Sequence, residues 1–235
     1  MLHDLAKMGL GKKVIATQRN VLNMIFDYAV TKGLIIYNPC ASVKLPRGLH
    51  SERRALPTAD DLKAVEKSDW LFPFFLLYTG CRRGEALAVT YEDIDRKNKV
   101  IRINKSVGFA DNEPFLKVPK TEAGHRTVIL LDKLAERIPK GTGLLFPNKN
   151  GQFCKNGEIQ YMWKKWQKEN GVTVTPHQLR HGYATILFDA GMSPKDAQYL
   201  LGHSTVAMTQ DIYTHIRQER IKVNADKLNE YVNKV

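Results

Sequence analysis

Two arginines, two histidines and a late tyrosine stand out in this chain for what they could do together. His177-Gln178-Leu179-Arg180 is followed by Gly202-His203, and Tyr213 lies ten residues beyond His203. Far upstream, Thr79-Gly80-Cys81-Arg82-Arg83-Gly84-Glu85 adds a second arginine with a carboxylate three residues on. These types handle a phosphate: guanidinium forks hold non-bridging oxygens, imidazoles donate or shuttle protons, and a phenol can attack phosphorus. Each segment alone also has a plainer account. His177 and Arg180 fit a surface pair on an amphipathic helix, Gly202-His203 fits a capping or packing histidine, and Arg82 with Glu85 fits a surface ion pair. His177 and His181 have the four-residue spacing of a zinc helix, but Gln178 stands where that motif needs a glutamate base, and no third ligand is evident. Glu92, Asp93 and Asp95 are expected in an exposed turn rather than at a metal.

The chain has 235 residues, enough for one large domain or two unequal ones. Its formal net charge of +12 points to a polyanionic partner, most often nucleic acid. Cys40, Cys81 and Cys154 are widely spaced with no CxxC pair, which argues against a disulfide framework and a cysteine zinc site. The first residues lack the apolar core of a secretion signal, and the longest apolar run, Trp70 to Tyr78, is broken by Pro73. A cytoplasmic protein is expected, with no membrane partner.

The elements that must carry these groups are legible in part. Lys12 to Lys32 has helical apolar spacing at Val14, Val21, Leu22, Ile25, Phe26 and Ala29, and Gly33 ends it. Residues 47–57 read as a basic linker carrying Arg47, Arg53 and Arg54. Thr58 and Asp61 form a capping-box pattern. Phe72 to Thr79 is expected as a buried helix, and Arg83 opens another. Val100–Ile103, Phe115–Val118 and Arg126–Leu130 read as three short strands, with Lys120 in the turn between the last two. Ile159 to Lys168 is helical, with Trp163 and Trp166 expected in the core and Lys164 and Lys165 on the surface. Thr175-Pro176-His177-Gln178 and Ser193-Pro194-Lys195-Asp196 are helix starts, and Gly202 is a helix stop.

In this order the segments resemble the boxes of the tyrosine recombinases, or phage integrases. Thr79 to Leu87 resembles the first arginine box, His177 to Thr185 the second, and Leu200 to Thr205 through Tyr213 the last. Pro119-Lys120-Thr121 followed by Arg126 is similar to the hairpin that carries the family's lysine. Cys81 stands where a larger apolar residue is common, and Gly124-His125 where the hairpin often has a serine. The resemblance covers about residues 12 to 235. It implies a mixed α+β fold: a mainly α-helical catalytic domain over 58–235 with a small three-stranded antiparallel sheet. Residues 1–46 would be the C-terminal part of a helical core-binding domain, so the chain is expected to be an N-terminally shortened member.

The resemblance also implies a reaction. Tyr213 would attack a DNA phosphate to give a 3′-phosphotyrosyl link, with strands exchanged through a Holliday junction and no metal, ATP or other cofactor. Arg82, Arg180 and His203 would hold the phosphate, His177 would handle the phenol proton, Lys120 would protonate the leaving oxygen, and Glu85 would support Arg82. Arg47, Arg53, Arg54, Lys164 and Lys165 are candidate DNA contacts. Implied partners are double-stranded DNA, a homotetramer on it, and accessory DNA-bending or excision factors. The tail after Ile216, with Ile221, Leu228 and Val232 at helical spacing, would dock on a neighbouring subunit. The boxes lean towards an integrase of a bacterial mobile element, nucleoid-associated when bound. Two alternatives stay open: a DNA-binding fragment without catalysis, and strand breakage of the type IB topoisomerase kind.

Overall fold

The computed structural model describes residues 2–49, 55–118 and 125–232. Contacts divide the chain into Met1–Arg54 and Ala55–Val235.

The first unit holds α1 (Leu2–Lys7), α2 (Lys12–Thr31) and an irregular segment after it. Gly33, at φ +69°, turns the chain off α2, a conformation that only glycine adopts without cost. Asn38 pins the segment back, its amide donating to Asn23 and Asp27 while its carbonyl oxygen accepts from the Cys40 N–H. Of the positions with apolar periodicity, Val21 and Ile25 stay exposed and only Ile15 of α2 is buried. Among the described residues of this unit, the short α1 and the segment after α2 are what could cover them.

In the second unit, Thr58 caps α3 (Ala59–Lys67) with a reciprocal Asp61 bond, as the sequence indicates. The next helix, α4 (Leu71–Thr79), is apolar on every side because it is the centre of the domain: Phe72, Phe74, Phe75 and Leu76 are fully buried. It packs against α8 (Pro176–Asp189), α3, α5 (Arg83–Ala88) and α6 (Asp132–Arg137). Phe72 meets Phe146 edge-on, and Trp163 on α7 (Asn156–Asn170) closes the cluster against Trp70. Trp166, also on α7, is buried with its indole N–H on Ser68.

A three-stranded antiparallel sheet is present, but its membership differs from the expected one. Its strands are β1 (Ile94–Asp95), β2 (Val100–Ile103) and β5 (Arg126–Ile129). Phe115 to Lys117 instead belongs to β4 (Glu113–Lys117), paired with β3 (Ser106–Ala110) as a separate hairpin. The cause is Asp111-Asn112, both at positive φ, which makes a two-residue turn that closes these strands on each other. In the acidic group at 92–95, Glu92 is exposed in a turn as expected, but Asp93 is not. Asp93 is buried, caps a 3-10 turn by accepting from the Thr90 N–H and hydroxyl, and pairs with Lys105 at 2.7 Å. The turn's own N–H needed the carboxylate.

The C-terminal layer consists of α8, α9 (Pro194–Leu201) and α10 (Val206–Val232). Thr175 and Ser193 cap their helices as expected, and Gly202 ends α9 at φ +65°. Tyr183, Leu187, Leu200, Leu201, Tyr213 and Ile216 form a second apolar cluster there. No helix among the described residues is long and apolar enough to cross a membrane.

Candidate active site

Three helix ends meet at the site. Arg82 is the residue before α5, in extended conformation, so its side chain leaves the helix axis while its N–H faces back to Glu85. Glu85 accepts that N–H at 2.8 Å and Arg82 Nη1 at 2.8 Å. Arg82 Nη2 donates to the Gly202 carbonyl at 2.9 Å, which ties the first arginine to the end of α9. Half of the Arg82 side chain stays exposed.

Arg180 lies one turn into α8 and is 5% exposed. Its Nη1 donates to the Gly80 carbonyl at 2.8 Å, whereas Nη2 is buried without a partner. Burial, then the neighbouring charge of Arg82, brings its pKa down to about 9. A cation is thus held beside another cation, with a donor unused. An arriving anion would relieve both conditions.

His203 follows Gly202 directly and is buried. Its Nδ1 sits 2.9 Å from the hydroxyl of Thr209, which is itself fully buried on α10. Burial first, then the charges of Arg180 and Arg82, lowers its pKa to about 3. His177 stands in the first turn of α8, where Nε2 lies 3.0 Å from Nε2 of His181.

Tyr213 is on α10, one turn beyond Thr209, and is buried rather than presented. Its ring meets Phe188 edge-on and its hydroxyl donates to the Met192 carbonyl at 3.3 Å. Burial, then the charge of Asp196, raises the phenol pKa. No hydrogen bond joins it to Arg82, Arg180 or His203. Arg82, Glu85, Arg180 and His203 therefore come together, while Tyr213 is docked on the backbone between α8 and α9.

Lys120, Arg53 and Arg54 lie outside the described residues. Arg47 is exposed in the first unit. Lys164 and Lys165 are both exposed on α7. Lys165 faces Glu169 at 3.8 Å, while Lys164 lines a hollow with Arg83, Thr175 and Pro176 near the start of α8. A cleft of about 410 Å³ opens beside His203, lined by His125, Arg126, Lys195 and Tyr199. Among the described residues no group of three or more His, Cys, Asp or Glu could hold a metal ion.

Three participants escaped the sequence reading: Thr209, the Gly80 carbonyl and Arg126 as a buried residue. The first two act through partners that only the fold brings near. Arg126 had a signal, since an arginine alternating with Val128 in a short strand must point into the domain.

Acid should loosen this site in two stages. Burial pushes the Glu85 carboxyl up, but the hydrogen bond and charge of Arg126, then the N–H and charge of Arg82, outweigh it and bring its pKa to about 2. Glu85 and His203 are both depressed below their ordinary values of 4.5 and 6.5, so the unfolded chain takes up the proton first. Each contribution is full above the ordinary value and is lost as pH falls, His203 between 6.5 and 3 and Glu85 between 4.5 and 2. A denaturation series over pH is expected to show stability falling from about pH 6.5. His203→Gln should remove the earlier part of that fall, and an unchanged profile would contradict it.

The sequence pattern of the phage integrase family matches residues 50–220, well over half of the chain. The chain belongs to the phage integrase family. The Tyrosine recombinase XerC-like protein of Caldanaerobacter subterraneus subsp. tengcongensis is 29% identical to this chain over 263 residues, covering 95% of this chain and 67% of that relative. The transposase from transposon Tn916 of Enterococcus faecalis is 31% identical over 179 residues, covering 66% of this chain and 44% of the transposase. Among solved structures, the Tn1549 transposon integrase in complex with circular intermediate DNA matches with a TM-score of 0.74 at 23% identity, over 94% of this chain and 83% of that one. A lambda integrase dimer bound to a COC′ core site matches at 0.62 and 20%, over 90% and 62%. At such identities the structural likeness shows the fold, a mainly helical one with a small antiparallel sheet. Together with the family match and the relatives, it makes the protein a tyrosine recombinase.

Proposed function

We propose that this recombinase breaks and rejoins DNA through Tyr213, acting as the integrase of a bacterial mobile element. The observation that carries the proposal is the unpartnered, buried Nη2 of Arg180 beside Arg82 and His203, a place prepared for a phosphate. Two guanidiniums would hold the non-bridging oxygens. Burial brings the pKa of His203 down to about 3, so it is neutral at pH 7 and donates from Nε2 in the tautomer whose Nδ1 accepts a hydrogen bond from the Thr209 hydroxyl. The phenol oxygen would bond to phosphorus as the 5′-oxygen leaves. Its proton would pass to His177, and Lys120 would protonate the leaving oxygen. The phosphotyrosyl ester keeps the bond energy, and a 5′-hydroxyl from the partner duplex reverses the step, exchanging strands through a Holliday junction.

For attack, Tyr213 must give up its Met192 carbonyl bond, so the conformation described is a resting one. Assembly is the proposed trigger. Residues 1–46 and the basic linker 47–57 would grip DNA with Arg47, Arg53 and Arg54, while Lys164 and Lys165 would contact it from α7. The exposed Ile221, Leu228 and Val232 of α10 would dock on the next subunit of a tetramer. Accessory bending or excision factors would act on that assembly. The resting tyrosine also favours a second reading, a chain that binds DNA without cutting it.

The experiment is trapping on a nicked suicide duplex carrying the sequences that flank the gene, in EDTA, read on a denaturing gel. A covalent protein–DNA adduct supports strand cleavage. Salt-sensitive binding without an adduct would favour the second reading. Thr209→Val should slow adduct formation by roughly 5- to 10-fold, the worth of one hydrogen bond, with DNA affinity unchanged. Wild-type cleavage by that variant would remove Thr209 from the mechanism.

A further inference from the structure

Arg126 opens β5 and its side chain is 1% exposed. It is buried among the parts of the site. Its Nε donates to the Leu200 carbonyl at 2.9 Å, and its Nη2 to Glu85 Oε2 at 2.7 Å. Glu85 in turn holds Arg82 at both the main chain and the guanidinium. Arg82 then returns to the Gly202 carbonyl, two residues after Leu200 and one before His203. The hydrogen bonds therefore close a ring: Arg126, Glu85, Arg82, Gly202, and back through the backbone to Leu200.

We infer that Arg126 is a positioning residue that sets Arg82 and His203 in one fixed relation, through Glu85 on one side and Leu200 on the other. The planar fork is what the role requires. It spans a strand, a helix start and a helix end, holding the Leu200 carbonyl from Nε and the Glu85 carboxylate from Nη2 in one rigid plane, which the compact ammonium on a flexible lysine stem does not reproduce. The remaining Nη1 has no hydrogen-bond partner and lies against Gly202, where an added Cβ would come within 2.8 Å of it. The absence of a side chain at 202 lets the guanidinium lie directly beneath the residue before His203. Burial of an arginine with one unused donor is costly, so packing alone does not account for it. Without the ring, Arg82 has half of its side chain in solvent and no reason to keep one rotamer.

The inference rests on the reading that Arg82 and His203 hold the reacting phosphate. Single-turnover cleavage of the nicked suicide duplex would be measured for wild type, Arg126→Lys, Arg82→Lys and the double variant, with melting curves and DNA affinity alongside. An absent adduct from wild type would overturn the functional reading and this inference with it. With wild type active, Arg126→Lys is expected to cleave about 100-fold slower at saturating DNA, the effect of misplacing a group by an ångström, while affinity stays within about threefold. The double variant should be scarcely slower than Arg82→Lys, because the relation between Arg82 and His203 that Arg126 fixes is already lost with the Arg82 guanidinium. Wild-type rate in Arg126→Lys, or losses that multiply in the double variant, would overturn the inference alone. Should Arg126→Lys fail to fold, Gly202→Ala approaches the same guanidinium from the other side and leaves every charge in place. It is expected to slow cleavage with DNA affinity kept, and full activity in that folded variant would overturn the inference.

Discussion

Arg180→Ala is expected to lower the rate of strand cleavage by at least about 100-fold, and to leave the melting temperature of the free protein unchanged or higher. The two effects run in opposite directions for one reason. In the protein without DNA, Arg180 is buried, crowded by the charge of Arg82 and left with an unpartnered Nη2, so its guanidinium is held at a cost. Removing it relieves that repulsion and abandons a single hydrogen bond, to the Gly80 carbonyl. When a phosphate occupies the site, the same two features become attraction and a charge-assisted hydrogen bond in a place shielded from water. Arg180→Lys should recover only part of the rate, because the planar fork presents parallel N–H groups to a phosphate and the splayed donors of an ammonium do not. Cleavage assays and thermal melts on the same preparations check the pair. A variant that melts well below wild type and cleaves normally would show that Arg180 is there for the fold.

Gly80→Ala is expected to cost about 3 kcal/mol of stability and to slow cleavage in whatever protein still folds. Gly80 ends α4 at φ +64°, in the left-handed region, and an added Cβ would stand 2.3 Å from Cδ1 of the Tyr183 ring. Tyr183 is buried in the second apolar cluster, so its ring has nowhere to withdraw. The strain and the clash fall on the carbonyl that anchors Arg180 and on the turn that leads to Arg82. Urea denaturation gives the stability change. A loss under about 1 kcal/mol would mean that α8 slides away from α4 more easily than their packing indicates.

Much of the helical frame was legible because its signals are local. Thr58, Thr175 and Ser193 announce their helices by caps satisfied within three residues, and Gly80 and Gly202 stop theirs by backbone conformation. The apolar run at Leu71–Thr79 could only be central. Strand pairing was less legible, since which strands meet is decided by turns such as Asp111-Asn112 and not by the strands themselves. On α2 the periodicity was clear, but most of the face it marks is not buried in this chain. At the site, the residue types and their order pointed to phosphate chemistry. Their wiring did not show, because Arg126 reaches Leu200 and Glu85 across long stretches of sequence, and Thr209 becomes a partner of His203 only when α10 folds back. The docked position of Tyr213 was hidden for the same reason: the Met192 carbonyl that receives its hydroxyl carries no sequence signal.

The central claim is that Tyr213 forms the covalent bond to DNA. The most direct measurement is mass spectrometry of the peptide left on DNA after trapping on the nicked duplex in EDTA and digestion by protease, with Tyr213→Phe as the paired control. A nucleotide mass is expected on Tyr213 in wild type, and no adduct in Tyr213→Phe, with DNA binding intact. An adduct on another residue, or one that persists in Tyr213→Phe, would contradict it.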